Sequence, residues 1–281
     1  MKLVSYVTVS GPSFGVVAPQ GVVDLGRRTG LSTLRGFLAR GGLATLDDGA
    51  RTASPDFAMS EVRLLPVVPD PDKIICVGLN YHAHVQETGR TVTENPVLFA
   101  RFPSSQVAHG EPLIRPKVSH EFDYEGELAV IVGAAGRHIA EGDALRHVAG
   151  YACYNDGSVR DWQRHTSQFL PGKTFAGTGA FGPWMVTADE IPDPTRLTLE
   201  TRLSGRVVQH TTTDLMITSI PRLIAYASTI LPLLPGDVLV TGTPGGVGAK
   251  RNPPLWMRAG DVVEVEISGI GCLRNPIADE T

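Results

Sequence analysis

At 281 residues, the chain has room for one large domain, or a large one with a small appendage. A net charge of −4, a charged fraction of 19% and the lack of any Lys/Arg run argue against a nucleic-acid surface. No run of about twenty apolar residues occurs, so no membrane span is expected. Plentiful Gly and Pro with few aromatics favour short strands and many turns over a helical bundle. Cys76, Cys153 and Cys272 lie far apart with no C-x-x-C, which reads as reduced thiols in a cytoplasmic protein. The opening Met1–Ser10 alternates like a strand and lacks the unbroken apolar core of a signal peptide.

Residues 1–66 read as a small N-terminal domain. Short strands are expected near Leu3–Val9, Phe14–Val17 and Gly21–Leu25, then a helix over Thr33–Arg40 capped by Ser32 and stopped by Gly41-Gly42. The proline-rich Leu65–Asp72 marks the junction to a main domain spanning 67–281.

The main domain opens on a buried strand, Lys73–Leu79, after which Asn80 can cap a two-turn helix closed by Gly89. His84 and Glu87 are three apart on that helix, so they share a face. Two readings are open: an incidental surface pair, or a carboxylate-oriented imidazole acting as general base. His82-x-His84 also has the form of a zinc site, although no further His cluster accompanies it. Arg90–Pro96 is polar and unpatterned, as a mobile flap would be.

The stretch Glu121–Gly133 is the most informative. As one strand, it places Glu121, Asp123, Glu125 and Glu127 on one face and Phe122, Tyr124, Leu128, Val130 and Val132 on the other. A row of carboxylates is either a solvated edge or a buried face with a hard divalent cation between the acids. A second strand, Val148–Asp156, ends on an acid. Asp156, Arg160 and Gln163 then follow at i, i+4 and i+7, either as a pocket wall or as a capping Asp with solvated helix residues. Lys173 lies in the loop Pro171–Phe175. An amphipathic helix begins near Pro221, with Ile220, Leu223, Ile224, Ala227, Ile230 and Leu231 in register. Thr241–Gly248 is a glycine-rich loop after a strand, able to present backbone N–H groups to an anion. It matches no nucleotide-binding pattern.

Taken together, these blocks resemble the fumarylacetoacetate hydrolase superfamily. The resemblance is carried by Val77-Gly78-Leu79-Asn80-Tyr81, His84-x-x-Glu87, Asp123-Tyr124-Glu125-Gly126-Glu127-Leu128 and Asn155-Asp156 with Arg160-Asp161-x-Gln163. It continues through Gly172-Lys173, Gly182-Pro183-Trp184 and Thr241–Gly248, in order from about Lys73 to Ile277. It implies an α+β, β-rich fold, a mixed β-sandwich or roll with outer helices, in a homodimer. It further implies Mg²⁺ or Mn²⁺ on Glu125, Glu127 and Asp156, with His84 and Glu87 as a catalytic dyad. Arg160, Gln163, Lys173 and Thr243 match positions that hold substrate carboxylate and oxo groups. Relatives often carry an acid where this chain has Ala83 and an Asp where it has Ala176.

The activity expected from this resemblance is metal-dependent hydrolysis of a C–C bond in acylpyruvate-type 2-oxo acids from catabolism. Here the dyad would activate water, and Lys173 and Gln163 would stabilise the oxyanion. The alternative is decarboxylation or tautomerisation of a 2-oxo diacid of the oxaloacetate or 2-hydroxyhepta-2,4-diene-1,7-dioate type. A third reading, a non-enzymatic binding domain, sits poorly with a competent residue at every family site position.

Overall fold

The computed structural model describes residues 1–281, apart from the side chains of residues 48 and 51. Two large β-sheets, a two-stranded ribbon, short helices and many turns make an α+β protein. The larger sheet runs, in spatial order, through Gly21–Asp24, Gly11–Ala18, Lys2–Thr8, Gly179–Thr187, Val148–Asn155, Gly126–Val132, Val238–Val240, Ile74–Gly78 and Val97–Arg101. The smaller sheet is formed by Arg206–Thr212, Thr198–Leu203, Val262–Ile267, Gly271–Asp279 and Leu113–Arg115. The three N-terminal strands continue the larger sheet, because Lys2 and Leu3 pair with Val186 and Met185.

Alternation along Gly126–Val132 builds two cores from one strand. Leu128, Val130 and Val132 pack with Leu199, Val263, Val265 and Leu273 between the two sheets. Ala129 and Ile131 face the other way, in a layer with Phe14, Phe37 and Leu38 from the N-terminal segment. The helix Ile220–Ile230 has Ser219 as its cap and buries Ile220, Leu223, Ile224 and Ala227, as its periodicity predicts, while Ile230 stays exposed. The N-terminal helix is Leu34–Ala39, and its capping side chain is Thr33 rather than Ser32.

The acidic stretch is not one strand. Phe122–Asp123 pairs with Ser158–Val159 in a separate ribbon, and the main strand begins only at Gly126. The Asp123 carboxylate accepts from the N–H of Tyr124 at 2.9 Å, a local bond that competes with the ladder. Glu125 N–H donates to the Asn155 side chain at 3.0 Å instead of to a neighbouring strand. Every residue from Phe122 to Val132 is buried, so this is no solvated edge.

Strand direction brings the site together. Val238–Val240 runs parallel to Ile74–Gly78, so the residues after both strands emerge at one end. Gly126–Val132 runs antiparallel to Val238–Val240, and Gly126 pairs with Asn155 of the next strand. Glu125, Asp156, the His84 helix and the Thr243 loop therefore converge at the same end, although they span more than a hundred residues of sequence.

Candidate active site

Glu125, Glu127 and Asp156 offer ligand oxygens that all lie within 4.8 Å of one another. Their approach is fixed by backbone bonds, since Asp156 N–H donates to the Glu125 carbonyl at 2.8 Å. Glu127 is held by the N–H of Gly242 at 2.5 Å. Gly242 supplies that contact with φ at +103°, and a Cβ there would lie 2.7 Å from the Asn80 Cβ, so glycine is required. Asn80 does not cap the helix: its side chain bonds Thr218 and Thr241, and Tyr81 takes the N-cap position.

Two cations thread between the acids. Lys173 Nζ donates to Glu125 Oε2 at 2.6 Å and Asp156 Oδ2 at 2.7 Å. A loop lysine is ordinarily solvated, but this one ends the short helix Leu170–Lys173 and is only 1% exposed. Gly172 permits that depth, because a Cβ would meet the Gln163 backbone N at 2.4 Å. Arg160 donates from Nε to Asp123 Oδ2 at 2.8 Å and contacts Glu125 Oε1 through Nη2 at 2.6 Å. Its Nη1 donates to the Gln163 side-chain oxygen at 3.0 Å, leaving the Gln163 amide group for a ligand.

Arg101 escaped the sequence reading. It is 1% exposed and donates to Asp156 Oδ1 at 2.5 Å, the Gly157 carbonyl at 2.9 Å and Thr178 Oγ1 at 2.8 Å. The available signal was an arginine closing the apolar run Val97–Ala100, where a charge needs a buried partner. Asp123 also does more than its place outside the triad suggested. Its carboxylate accepts from the N–H groups of Gly248 and Ala249 at 2.8 and 3.0 Å, besides Tyr124 and Arg160. It therefore ties the acidic stretch, the glycine-rich loop and Arg160 together. Asp123→Ala is expected to cost about 3–5 kcal/mol of stability, as breaking a buried ion pair does. Urea unfolding checks this, and a loss below 1 kcal/mol would show that the clamp is dispensable.

The electrostatics fit a divalent cation. Four buried carboxylates (Asp123, Glu125, Glu127, Asp156) face three buried cations (Arg101, Arg160, Lys173), one carboxylate more than the cations can neutralise. Burial alone would raise the Glu125 pKa, but Lys173 and Arg160 outweigh it and hold the group at about 2. Glu127 is pushed well above the carboxylate range by burial and by the nearby Asp156 and Glu125 charges. Burial works to lower the Lys173 pKa, yet Asp156 and Glu125 raise it, so the lysine is charged. An all-oxygen donor set suits Mg²⁺ or Mn²⁺. His82, by contrast, is exposed. Among the described residues, the one group of three or more metal-capable side chains is the carboxylate triad, and neither His82 nor His84 belongs to it.

His84 and Glu87 pair, as their spacing on one helix face allows. His84 Nδ1 lies 2.8 Å from Glu87 Oε1, and Glu87 Oε2 accepts from the Gly246 N–H at 2.8 Å. The helix His82–Thr88 carries both residues and ends on Gly89 in the left-handed conformation. Thr243 has its hydroxyl engaged within the protein. Its hydroxyl donates to the Gly126 carbonyl at 3.0 Å and accepts from Gln209 at 2.9 Å, so its backbone N–H is the group it can offer a ligand. His84, Glu125, Arg160, Gln163, Lys173 and Thr243 line one cavity of about 480 Å³. It thus joins an oriented imidazole, one carboxylate of the acidic cluster, and guanidinium, ammonium and amide groups.

Comparisons with known proteins agree with this fold. The family model for the fumarylacetoacetate (FAA) hydrolase C-terminal region matches residues 73–278. An oxaloacetate tautomerase from Homo sapiens, described as mitochondrial, is 39% identical over 288 residues, covering 99% of this chain and 91% of that protein. The solved fumarylacetoacetate hydrolase of Exiguobacterium antarcticum superposes with a TM-score of 0.86 at 35% identity, covering all of both chains. Maleylpyruvate hydrolase from Sphingobium sp. SYK-6, in complex with manganese (II) ion and pyruvate, gives 0.84 at 28% identity, again over both whole chains. No helix among the described residues is long and apolar enough to cross a membrane. With the family model matching residues 73–278 and a relative 39% identical over nearly the whole chain, the chain belongs to the fumarylacetoacetate hydrolase superfamily of enzymes.

Proposed function

We propose that the chain is a divalent-cation-dependent tautomerase of 2-oxo diacids of the oxaloacetate type, interconverting their keto and enol forms. The observation that carries this reading is the meeting, in one cavity, of the carboxylate-backed His84 imidazole and Glu125, the member of the Glu125–Glu127–Asp156 cluster that lines it. The oxaloacetate tautomerases at 38–41% identity support it over the hydrolytic reading. Glu125, Glu127 and Asp156 would hold Mg²⁺ or Mn²⁺, which when bound supplies Lewis-acid polarisation of the 2-oxo group.

The chain's own groups account for the proton movements. Arg160 and the Gln163 amide grip the carboxylate next to the oxo group and fix its orientation. Glu87 holds His84 through Nδ1, which leaves Nε2 free to act on the substrate. His84 Nε2 takes a proton from C3, and the C3–H electron pair becomes the C2=C3 bond. The oxo oxygen then receives the proton from the imidazolium, which Glu87 stabilises in the interval. The reverse sequence converts enol to keto. No water attack is needed.

The experiment is direct. Protein loaded with Mg²⁺ or Mn²⁺ is added to freshly dissolved enol-oxaloacetate, and the enol absorbance is followed against pyruvate release. Accelerated enol decay without matching pyruvate formation is expected. Decay that only tracks pyruvate would make the enzyme a decarboxylase and overturn the proposal. The maleylpyruvate hydrolase neighbour favours a second reading, C–C hydrolysis of acylpyruvates with His84 activating water. Assaying acylpyruvate cleavage on the same preparation decides between them.

A further inference from the structure

The cavity is strongly unbalanced in charge. Five cations line it, Arg90, Arg160, Arg164, Lys173 and Lys250, beside a single carboxylate, Glu125. Three of them already have carboxylate partners: Lys173 and Arg160 within the acid cluster, and Arg164, whose Nη2 lies 2.6 Å from Glu121 Oε2. Arg90 and Lys250 have no carboxylate partner among the described residues, and both are exposed. Cations gathered at the mouth of a walled cavity raise the local concentration of anions and reward a ligand charged at its outer end.

Their placement gives that end a location. Lys173 Nζ lies 5.2 Å from the Phe99 ring centroid, and Phe99 meets Phe169 edge-on with centroids 5.7 Å apart. Phe169 in turn carries the Arg90 guanidinium 5.4 Å from its centroid. Two aromatic rings therefore separate the buried lysine from the exposed arginine. Lys250 ends the turn Gly248–Lys250, whose first two N–H groups are pinned on Asp123. A volume of about 480 Å³ falls in the range that holds drug-sized ligands and exceeds what a four-carbon diacid fills.

We propose that Arg90 and Lys250 form a distal anion subsite that takes the second carboxylate of 2-oxo diacids longer than oxaloacetate, with the ligand's carbon midsection lying on Phe99 and Phe169. This rests on the reading that Arg160 and Gln163 receive the 2-oxo acid end. The subsite selects chain length and charge, and it takes no part in moving protons.

A matched ligand pair tests it: 2-oxohexanedioate and 2-oxohexanoate have the same length and differ only in the distal carboxylate. Their affinities for the Mg²⁺-loaded protein are measured by calorimetry for wild type, Arg90→Met, Lys250→Met and the double variant. Methionine keeps an apolar stem on the cavity wall and removes the charge. The wild type should prefer the diacid at least tenfold, about 1.4 kcal/mol. Each single change should cut that preference severalfold, and the double change should erase it. Arg206→Met, which removes an exposed charge outside the cavity lining, should retain the full preference. Equal binding of the two acids by wild type, binding of neither, or a preference surviving in the double variant would overturn the subsite. Failure of the tautomerase reading is separate: it would appear as unaccelerated enol decay with the diacid preference intact.

Discussion

Glu127→Gln is expected to abolish Mg²⁺ and Mn²⁺ binding while raising the melting temperature of the metal-free protein. Three carboxylates with oxygens inside 4.8 Å repel one another, and Glu125 and Asp156 already share Lys173. Among the described residues no side-chain cation forms an ion pair with Glu127, which accepts a hydrogen bond from the N–H of Gly242. Glutamine keeps an oxygen for that N–H and is neutral without taking up a proton, whereas burial and the Asp156 and Glu125 charges force Glu127 towards its protonated form on folding, so the metal-free fold gains. Each kcal/mol gained raises the midpoint by about 2–4 °C in a chain of this size class. The companion changes should differ in sign. Asp156→Ala leaves Arg101 and Lys173 short of a carboxylate, and Glu125→Ala does the same to Arg160 and Lys173. Both should therefore lose the metal and destabilise the fold, by about 3–5 kcal/mol where a buried cation is stranded. Calorimetry showing unchanged Mn²⁺ affinity in all three variants would remove the metal site. A lower melting temperature for metal-free Glu127→Gln would show that its charge is compensated.

The contrast between Glu127 and its neighbours marks what a sequence can disclose. Local spacing is legible: His84 and Glu87 had to share a helical face, and Leu223, Ile224 and Ala227 had to face a core. The carboxylates of the acidic stretch were legible as a cluster, but their division of labour was not. Asp123 looks the same as Glu125 and Glu127 by alternation, yet it turns to Gly248, Ala249 and Arg160 because the strand breaks at Tyr124. Arg101 and the depth of Lys173 depend on partners 55 and 48 residues away, and no local pattern encodes such pairings. The same limit applies to chemistry. Hydrolysis, decarboxylation and tautomerisation of 2-oxo acids would call on the same candidate groups here, and the oxaloacetate tautomerases among the relatives favour the last over the expected hydrolysis.

His84→Ala is expected to lower kcat for keto–enol interconversion by roughly 10²–10⁴-fold, the usual contribution of a positioned general base. Metal affinity should hardly change, because neither His84 nor Glu87 belongs to the carboxylate triad. Glu87→Gln should fall between His84→Ala and wild type. It keeps an oxygen for the imidazole but loses the charge that supports the imidazolium, and one of its contacts must still be made to the Gly246 N–H. Substrate KM should move little in both variants, since Arg160 and Gln163 are assigned the carboxylate. The chemistry can be read at the carbon that reacts: in deuterated water, wild type should wash label into C3 of oxaloacetate, and His84→Ala should lose exchange and enol decay in equal measure. A variant that kept C3 exchange while losing acylpyruvate cleavage would place His84 on a water molecule and restore the hydrolytic reading. A variant that kept both would show that the base lies elsewhere in the cavity.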